Sequence, residues 1–300
     1  MDKISLASQL VQYLFTGITV GSIYALVALG FNIIYNVTEV INFAQGEFVM
    51  LGGLMMVLFA ATLKLPLLLA FVLAVLVVTG VGALMERSTI NPLKNAGVLT
   101  VIIVTIAVSI LLKGIAMFVW GKDPYIIPPF SGTKPLFIFG AAVQTQTLWV
   151  VFITGVVVVL LTLFFKRSRY GKAMLACADN AEAARLVGIK VNTMVLISFA
   201  LSAAIGAAAG AVITPMTLME YDRGALLGLK GFGAAVLGGL DSFYGAVVAG
   251  LLLGVIESLC AGLISSGYKD AVALLILLLV LFVRPSGLFG NIEASKIKKF

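Results

Sequence analysis

The 300-residue sequence contains no histidine, two cysteines, and 33 charged side chains, 20 of them Lys or Arg and 13 Asp or Glu. Without histidine there are no His proton relays, no His metal ligands and no Ser-His or Cys-His triads. Cys177 and Cys260 fall in different compartments of the topology below, so no disulfide between them is expected, and no metal-ligand spacing is present. A phosphate-cradling loop is missing as well. The Gly-Lys pairs Gly121-Lys122 and Gly171-Lys172 lack the upstream glycine, and GLKGFGAAVLGG lacks the Lys-Ser ending. No soluble stretch is long enough for a nucleotide-binding fold, so any ATP-driven engine belongs to another subunit. Paired acids and nucleophile constellations are also missing; we therefore expect no catalytic residue, no cofactor and no enzyme activity in this chain. Charged residues make up 11% of the sequence, against roughly 25% in soluble domains, and the cations lie between apolar runs rather than on one basic face, which argues against a nucleic-acid partner.

What remains is apolar. Hydrophobic residues account for 61% of the chain and the mean hydropathy is +1.16. Several runs exceed the ~20 residues that cross a ~30 Å hydrocarbon core. The first continues past the roughly 7–15 residues of a signal peptide without an A-x-A-like site, so it is expected to remain as a span. Apolar segments fall near 10–35, 41–63, 65–86, 97–120, 148–165, 193–214, 224–242, 244–264 and 269–284. The second and seventh are glycine-rich and interrupted by polar residues, as broken or re-entrant helices are. The expected fold is an all-α polytopic membrane protein with about eight or nine transmembrane helices, in one transmembrane domain over residues 1–300.

The cations orient it. If the segment 166–192 is cytoplasmic, so are 87–96 and 284–300, and together they hold Arg87, Lys94, Lys166, Arg167, Arg169, Lys172, Arg185, Lys190, Arg284, Lys296, Lys298 and Lys299, twelve of the twenty. Lys3, Lys64, Lys122, Lys134, Arg223 and Lys269 lie outside, with Lys113 and Lys230 in or near the membrane. The carboxyl end is then cytoplasmic. The longest outer loop, about 121–147, carries four of the eight prolines and reads as a stiff connector.

Four GxxxG patterns promise close helix packing: Gly17/Gly21, Gly206/Gly210, Gly224/Gly228 and Gly250/Gly254. A faint internal echo links VINFAQGEFVMLGG (40–53) with ALLGLKGFGAAVLGG (225–239), as an inverted repeat would. The most polar membrane stretch is NVTEVINFAQGEF. On a continuous helix Glu39, Asn42 and Gly46 share a face with Glu47 alongside, a candidate pathway lining or gate together with Gln45. The competing reading puts Glu39 at the interface and pairs Glu47 with another helix. Glu257 is expected to bond a neighbouring helix, Lys230 and Asp241 to snorkel to the two interfaces, and Glu220 to Arg223 to form a solvated outer turn.

The island YGKAMLACADNAEAARLVGIKVN overlaps KRSRYGK, four cations in seven residues. Asp179 or Asn180 is placed to cap a short helix over 181–186, and Gly188 to end it in a left-handed turn. Leu186, Val187 and Ile189 would then need a surface to bury against. Glu182-Ala183-Ala184, three residues, then Gly188-Ile189 resembles the EAA-x3-G signature of ABC importer permeases, in which this helix couples to the ATP-binding subunit. Residues 21–53, the island, 234–258 and FVRPSGLFG (282–290) together resemble the branched-chain amino acid permease family, LivH type, over nearly the whole chain. That resemblance implies an inner-membrane importer for branched-chain or related small amino acids, working with a second permease, two ATP-binding subunits and an external amino-acid-binding protein. Gln45 stands where the family stretch INFA-x-GE usually carries histidine, so a titrating role there is not expected. The alternative is a self-sufficient secondary transporter or channel, which would not need a docking helix.

Overall fold

The chain winds into an all-helical bundle with one small hairpin, in a computed structural model that describes residues 6–93, 96–138 and 140–290. Lys3, Lys94, Lys296, Lys298 and Lys299, counted in the charge asymmetry, lie outside the described residues, as does most of the basic tail. The helices are α1 (Leu6–Thr38), α2 (Gln45–Met56), α3 (Leu67–Met85), α4 (Val98–Trp120), α5 (Thr145–Arg167), α6 (Arg169–Asp179), α7 (Ala181–Leu186), α8 (Val191–Ile213), α9 (Arg223–Gly238), α10 (Phe243–Leu263) and α11 (Lys269–Val283). Wider π-turns extend α2 over Val57–Thr62 and α3 over Glu86–Ile90. Eight of these helical stretches are long and apolar enough to cross a membrane; α9, at 16 residues, is not among them. This is a multi-pass membrane protein.

The two ends of the bundle differ. At one, the strands β1 (Leu136–Ile138) and β2 (Ala141–Val143) pair antiparallel, and Gln12 of α1 donates to the Ala142 carbonyl at 2.9 Å. The proline-rich loop is thus partly ordered rather than a plain connector, and Tyr125 forms a bridge with Met219. At the other end, Asn32 of α1 donates to the carbonyls of Gly239 and Ser242, and Asn36 to that of Leu240. The island over 166–192 sits at this second end. It is two helices, not the one expected, because Ser168 caps a second helix: its Oγ accepts from Gly171 N at 2.8 Å. Gly171, Met174 and Cys177 then recur every three residues and bury one face of α6. Burial raises the pKa of the Cys177 thiol, and both cysteines are free.

Helices α1, α2 and α8 form the centre, with α3, α4, α5 and α11 around them exposing apolar side chains such as Leu76, Ile110, Leu160 and Phe282. The glycine patterns decide which helices touch. A Cβ on Gly17 or Gly21 would strike the backbone of Val255 or Leu251, and one on Gly254 the backbone of Gly21, so α1 and α10 meet backbone to backbone. Gly210 and Gly206 in α8 bring that helix against Val49 and Phe48 of α2. Such contacts replace the hydrophobic drive that lipid cannot supply.

Lys230 is held by two acids on neighbouring helices. Its Nζ lies 2.6 Å from Glu257 Oε1 and 2.6 Å from Asp270 Oδ1, while Tyr24 donates to Glu257 Oε2 at 2.8 Å. Four helices, α1, α9, α10 and α11, are tied together there. Glu257 thus has the interhelical bonds expected of it, and the lysine's charge is neutralised where moving it alone into hydrocarbon would be costly.

Candidate functional site

The polar stretch from 36 to 48 is not one helix. Helix α1 stops at Thr38, Glu39 turns left-handed at φ 56°, and α2 begins only at Gln45. The expected shared face of Glu39, Asn42 and Gly46 therefore does not exist. Glu39 is exposed at the end of α1, as the competing interface reading had it. Asn42 is buried; its Oδ1 accepts from Ala44 N at 3.1 Å and turns the chain toward α2. It lines a cavity of about 260 Å³ shared with Thr38, Glu86, Ala181 and Arg185.

Helix α2 begins at mid-depth. Gln45 Nε2 donates to the carbonyl of Ser202, mid-way along α8, at 3.2 Å, and Ser202 Oγ lies 2.5 Å from Gln45 Oε1. Gln45 is wholly buried in this clamp, where it ties α2 to α8. From there α2 runs toward the hairpin end, where Gly53 lies against Thr214 and Met219.

Helix α9 mirrors it. Gly224 and Gly228 abut Gly46, so α9 also starts at mid-depth, and it runs the other way until Gly238 meets Gly245. The turn before it is more than a solvated outer turn: Glu220 and Arg223 pair at 4.0 Å, while Gly224, the next residue, is buried against α2. Two helices thus meet at their amino ends. The sequence echo between 40–53 and 225–239 has this geometric counterpart, which is how inverted repeats build a pathway.

Glu47 sits at that meeting point. It is 1% exposed; Ser109 of α4 donates to its Oε1 at 2.9 Å, and Lys113 Nζ is 3.6 Å from the same oxygen. Its Oε2 has no hydrogen-bond partner among the described residues. The carboxylate lines a second cavity of about 310 Å³ with Ser109, Gly224, Phe31, Phe43 and Phe232. Of the five residues proposed as pathway lining or gate, Glu47 reaches this cavity and Gly46 makes room for it. Sequence reasoning passed over Ser109 and the three phenylalanines. Lys113, a lone cation inside an apolar run, was the available signal, because a charge there needs an acidic partner on another helix.

The coupling candidates lie at the other end of this frame. Asn180, not Asp179, caps α7: its Oδ1 accepts from Ala183 N at 2.9 Å. Ala184 is buried, Glu182 and Ala183 are exposed, and Gly188 closes the helix at φ 88°. Leu186 and Val187 stand 90% and 77% exposed, whereas Ile189 packs against the core and is not part of the free surface.

Residues 13–281 match the family described as the permease component of the branched-chain amino acid transport system. The chain belongs to this family. It is 34% identical to the high-affinity branched-chain amino acid transport system permease protein LivH of Salmonella typhimurium, over 95% of this chain and 97% of that protein. It is 35% identical, with the same coverages, to the permease protein BraD of Pseudomonas aeruginosa. At 24% identity, over 86% of this chain and 80% of the relative, it is also similar to the ribose import permease protein RbsC of Haemophilus influenzae. As a permease component of a transport system, a member of this branched-chain amino acid permease family works with partner subunits.

Proposed function

We propose that this chain is the transmembrane permease subunit of an ATP-driven importer for branched-chain or related small amino acids. It would sit in the inner membrane with its carboxyl end cytoplasmic, as one transmembrane domain. Its partners would be a second related permease, two ATP-binding subunits and an external amino-acid-binding protein.

One observation carries the reading: α7 presents Leu186 and Val187 to solvent beside Glu182, from a helix fastened at both ends. Isolated helices shorter than about 12 residues are marginal in water, so six residues need the Asn180 cap, the Gly188 turn and the buried Ala184 to persist. Two exposed apolar side chains on a fastened helix make a knob suited to a groove in an ATP-binding subunit. Motion of α7 has a short route inward. Ala181 and Arg185 line the same cavity as Thr38 and Asn42, at the break between α1 and α2, and α2 leads on to the mid-depth meeting with α9. Closure and opening of ATP-binding subunits would rock α7, shift that break, and switch the mid-depth cavity between the two sides. Glu47 and Gly46 belong to the pathway in this reading, and Glu39, Asn42 and Gln45 to its support.

The test is uptake and ATP hydrolysis measured together in the reconstituted complex. Glu182→Ala and Gly188→Val are expected to leave membrane insertion intact and lower uptake per ATP hydrolysed by about tenfold. Normal coupling in both variants removes α7 from the mechanism. The second reading, a self-sufficient transporter, draws on two helices whose amino ends meet inside the bundle, as discontinuous helices do in secondary transporters. It predicts that the purified chain transports alone, without ATP.

A further inference from the structure

The mid-depth cavity combines three features. First, it holds a carboxylate that is only half engaged. Glu47 Oε1 is bonded by Ser109 and faces Lys113, but Oε2 is buried and unpartnered among the described residues. Buried polar atoms are nearly always paired, and the other unpartnered ones here belong to neutral Asn32, Asn42 and Thr154. A carboxylate kept only for packing would be expected to engage both oxygens. Second, part of the lining is aromatic: Phe232 lies 5.5 Å from Phe31 and 5.9 Å from Phe43 between ring centroids, in tilted arrangements. Third, the amino ends of α2 and α9 meet beside Glu47, with Gly46 and Gly224 in backbone contact. Helix amino ends carry a partial positive charge that favours anions.

We propose that this cavity is a transit site for a zwitterionic aliphatic amino acid. Glu47 Oε2 takes the ammonium group, the amino end of α9, whose Gly224 and Ala225 line the cavity, supplies positive charge for the carboxylate, and Phe31, Phe43 and Phe232 carry the side chain. Its volume of about 310 Å³ suits one small ligand, at the low end of the roughly 300–1,000 Å³ seen for small-molecule sites. An acidic side chain would meet three phenylalanine rings instead of a cation and is disfavoured. A sugar, lacking the ammonium, would leave Glu47 unpaired and is disfavoured too. This inference rests on the import function proposed above and adds the residues that recognise the cargo inside the membrane.

The experiment is leucine and valine uptake by the full transporter in proteoliposomes, with wild type, Glu47→Gln and Phe232→Trp. Glu47→Gln keeps the shape and the acceptor for Ser109 but removes the charge, and leucine uptake is expected to fall about tenfold or more at equal assembly. Phe232→Trp narrows the pocket without touching Glu47. It is expected to lower leucine-to-valine uptake several-fold, about the scale of one methylene in an apolar pocket, and this ratio is insensitive to the amount of folded protein. A wild-type transporter that moves leucine, with Phe232→Trp leaving the ratio unchanged and assembled Glu47→Gln transporting normally, overturns the site alone. If Glu47→Gln does not assemble, the unchanged ratio by itself overturns it. A wild-type transporter that moves neither amino acid overturns the import function itself.

Discussion

Two glycine seams run through this molecule, and they do different things. Along α1 and α10, Gly17, Gly21, Gly250 and Gly254 let two long helices touch backbone to backbone without interruption. Between α2 and α9, Gly46, Gly224 and Gly228 allow an equally close approach, but of two helix ends. The buried acid beside the first seam, Glu257, has both oxygens engaged, by Tyr24 and Lys230. The second seam brings together the dipoles of two amino ends and the half-satisfied carboxylate of Glu47. Close packing between continuous helices yields a rigid frame. The same packing between discontinuous helices yields a site, because the broken backbone must be satisfied by something other than its own next turn.

The comparison can be broken at its strongest point. Gly254→Leu drives a side chain into the backbone of Gly21, where no flexible neighbour gives way. The expected outcome is loss of the folded chain, a drop of about tenfold or more in the monodisperse fraction on size-exclusion chromatography after mild detergent extraction. A normal elution profile would mean the frame is not held there. Gly46→Ala is the counterpart at the second seam. Its Cβ collides with the carbonyl of Gly224, so the two helix ends must separate. We expect the protein to remain extractable, since the α1–α10 frame is untouched, while leucine uptake falls by about tenfold. Equal loss of fold in both variants would erase the distinction between frame and site. The smallest effect belongs to Gly155→Ala on α5, where nothing lies within 4 Å. Uptake and extraction yield should match wild type, and a glycine-to-alanine change in a helix gains at most about 1 kcal/mol in propensity. A clear loss would reveal a partner surface on α5.

How much of this was legible beforehand differs by element. The short helix α7 was, down to its left-handed Gly188, because a cap, a run of good helix formers and a glycine act within one turn. Helix α6 was not expected, since its stabilising face of Gly171, Met174 and Cys177 has meaning only once the bundle end is there to cover it. All four GxxxG patterns proved to be contact points, yet nothing in the patterns said which met which. The pair Glu39 and Glu47 is the plainest lesson. Eight positions apart in one polar stretch, they differ completely: one is exposed at a helix end, the other buried at mid-depth. The face they would share on a continuous helix was one of two readings of that stretch, and the left-handed turn at Glu39 ended it.

By itself, then, the sequence determined that this is a multi-pass helical membrane protein of the branched-chain amino acid permease family, with a basic face and a capped helix at that face. Composition, apolar run length and charge asymmetry act locally and are read by water and lipid before any tertiary contact forms. Only the tertiary structure decided the depth at which α2 and α9 begin, and therefore where Glu47, Ser109 and the three phenylalanines converge. Depth is set by how far neighbouring backbones can interpenetrate. That distance depends on glycines from four helices acting at once, and no single stretch of sequence contains it.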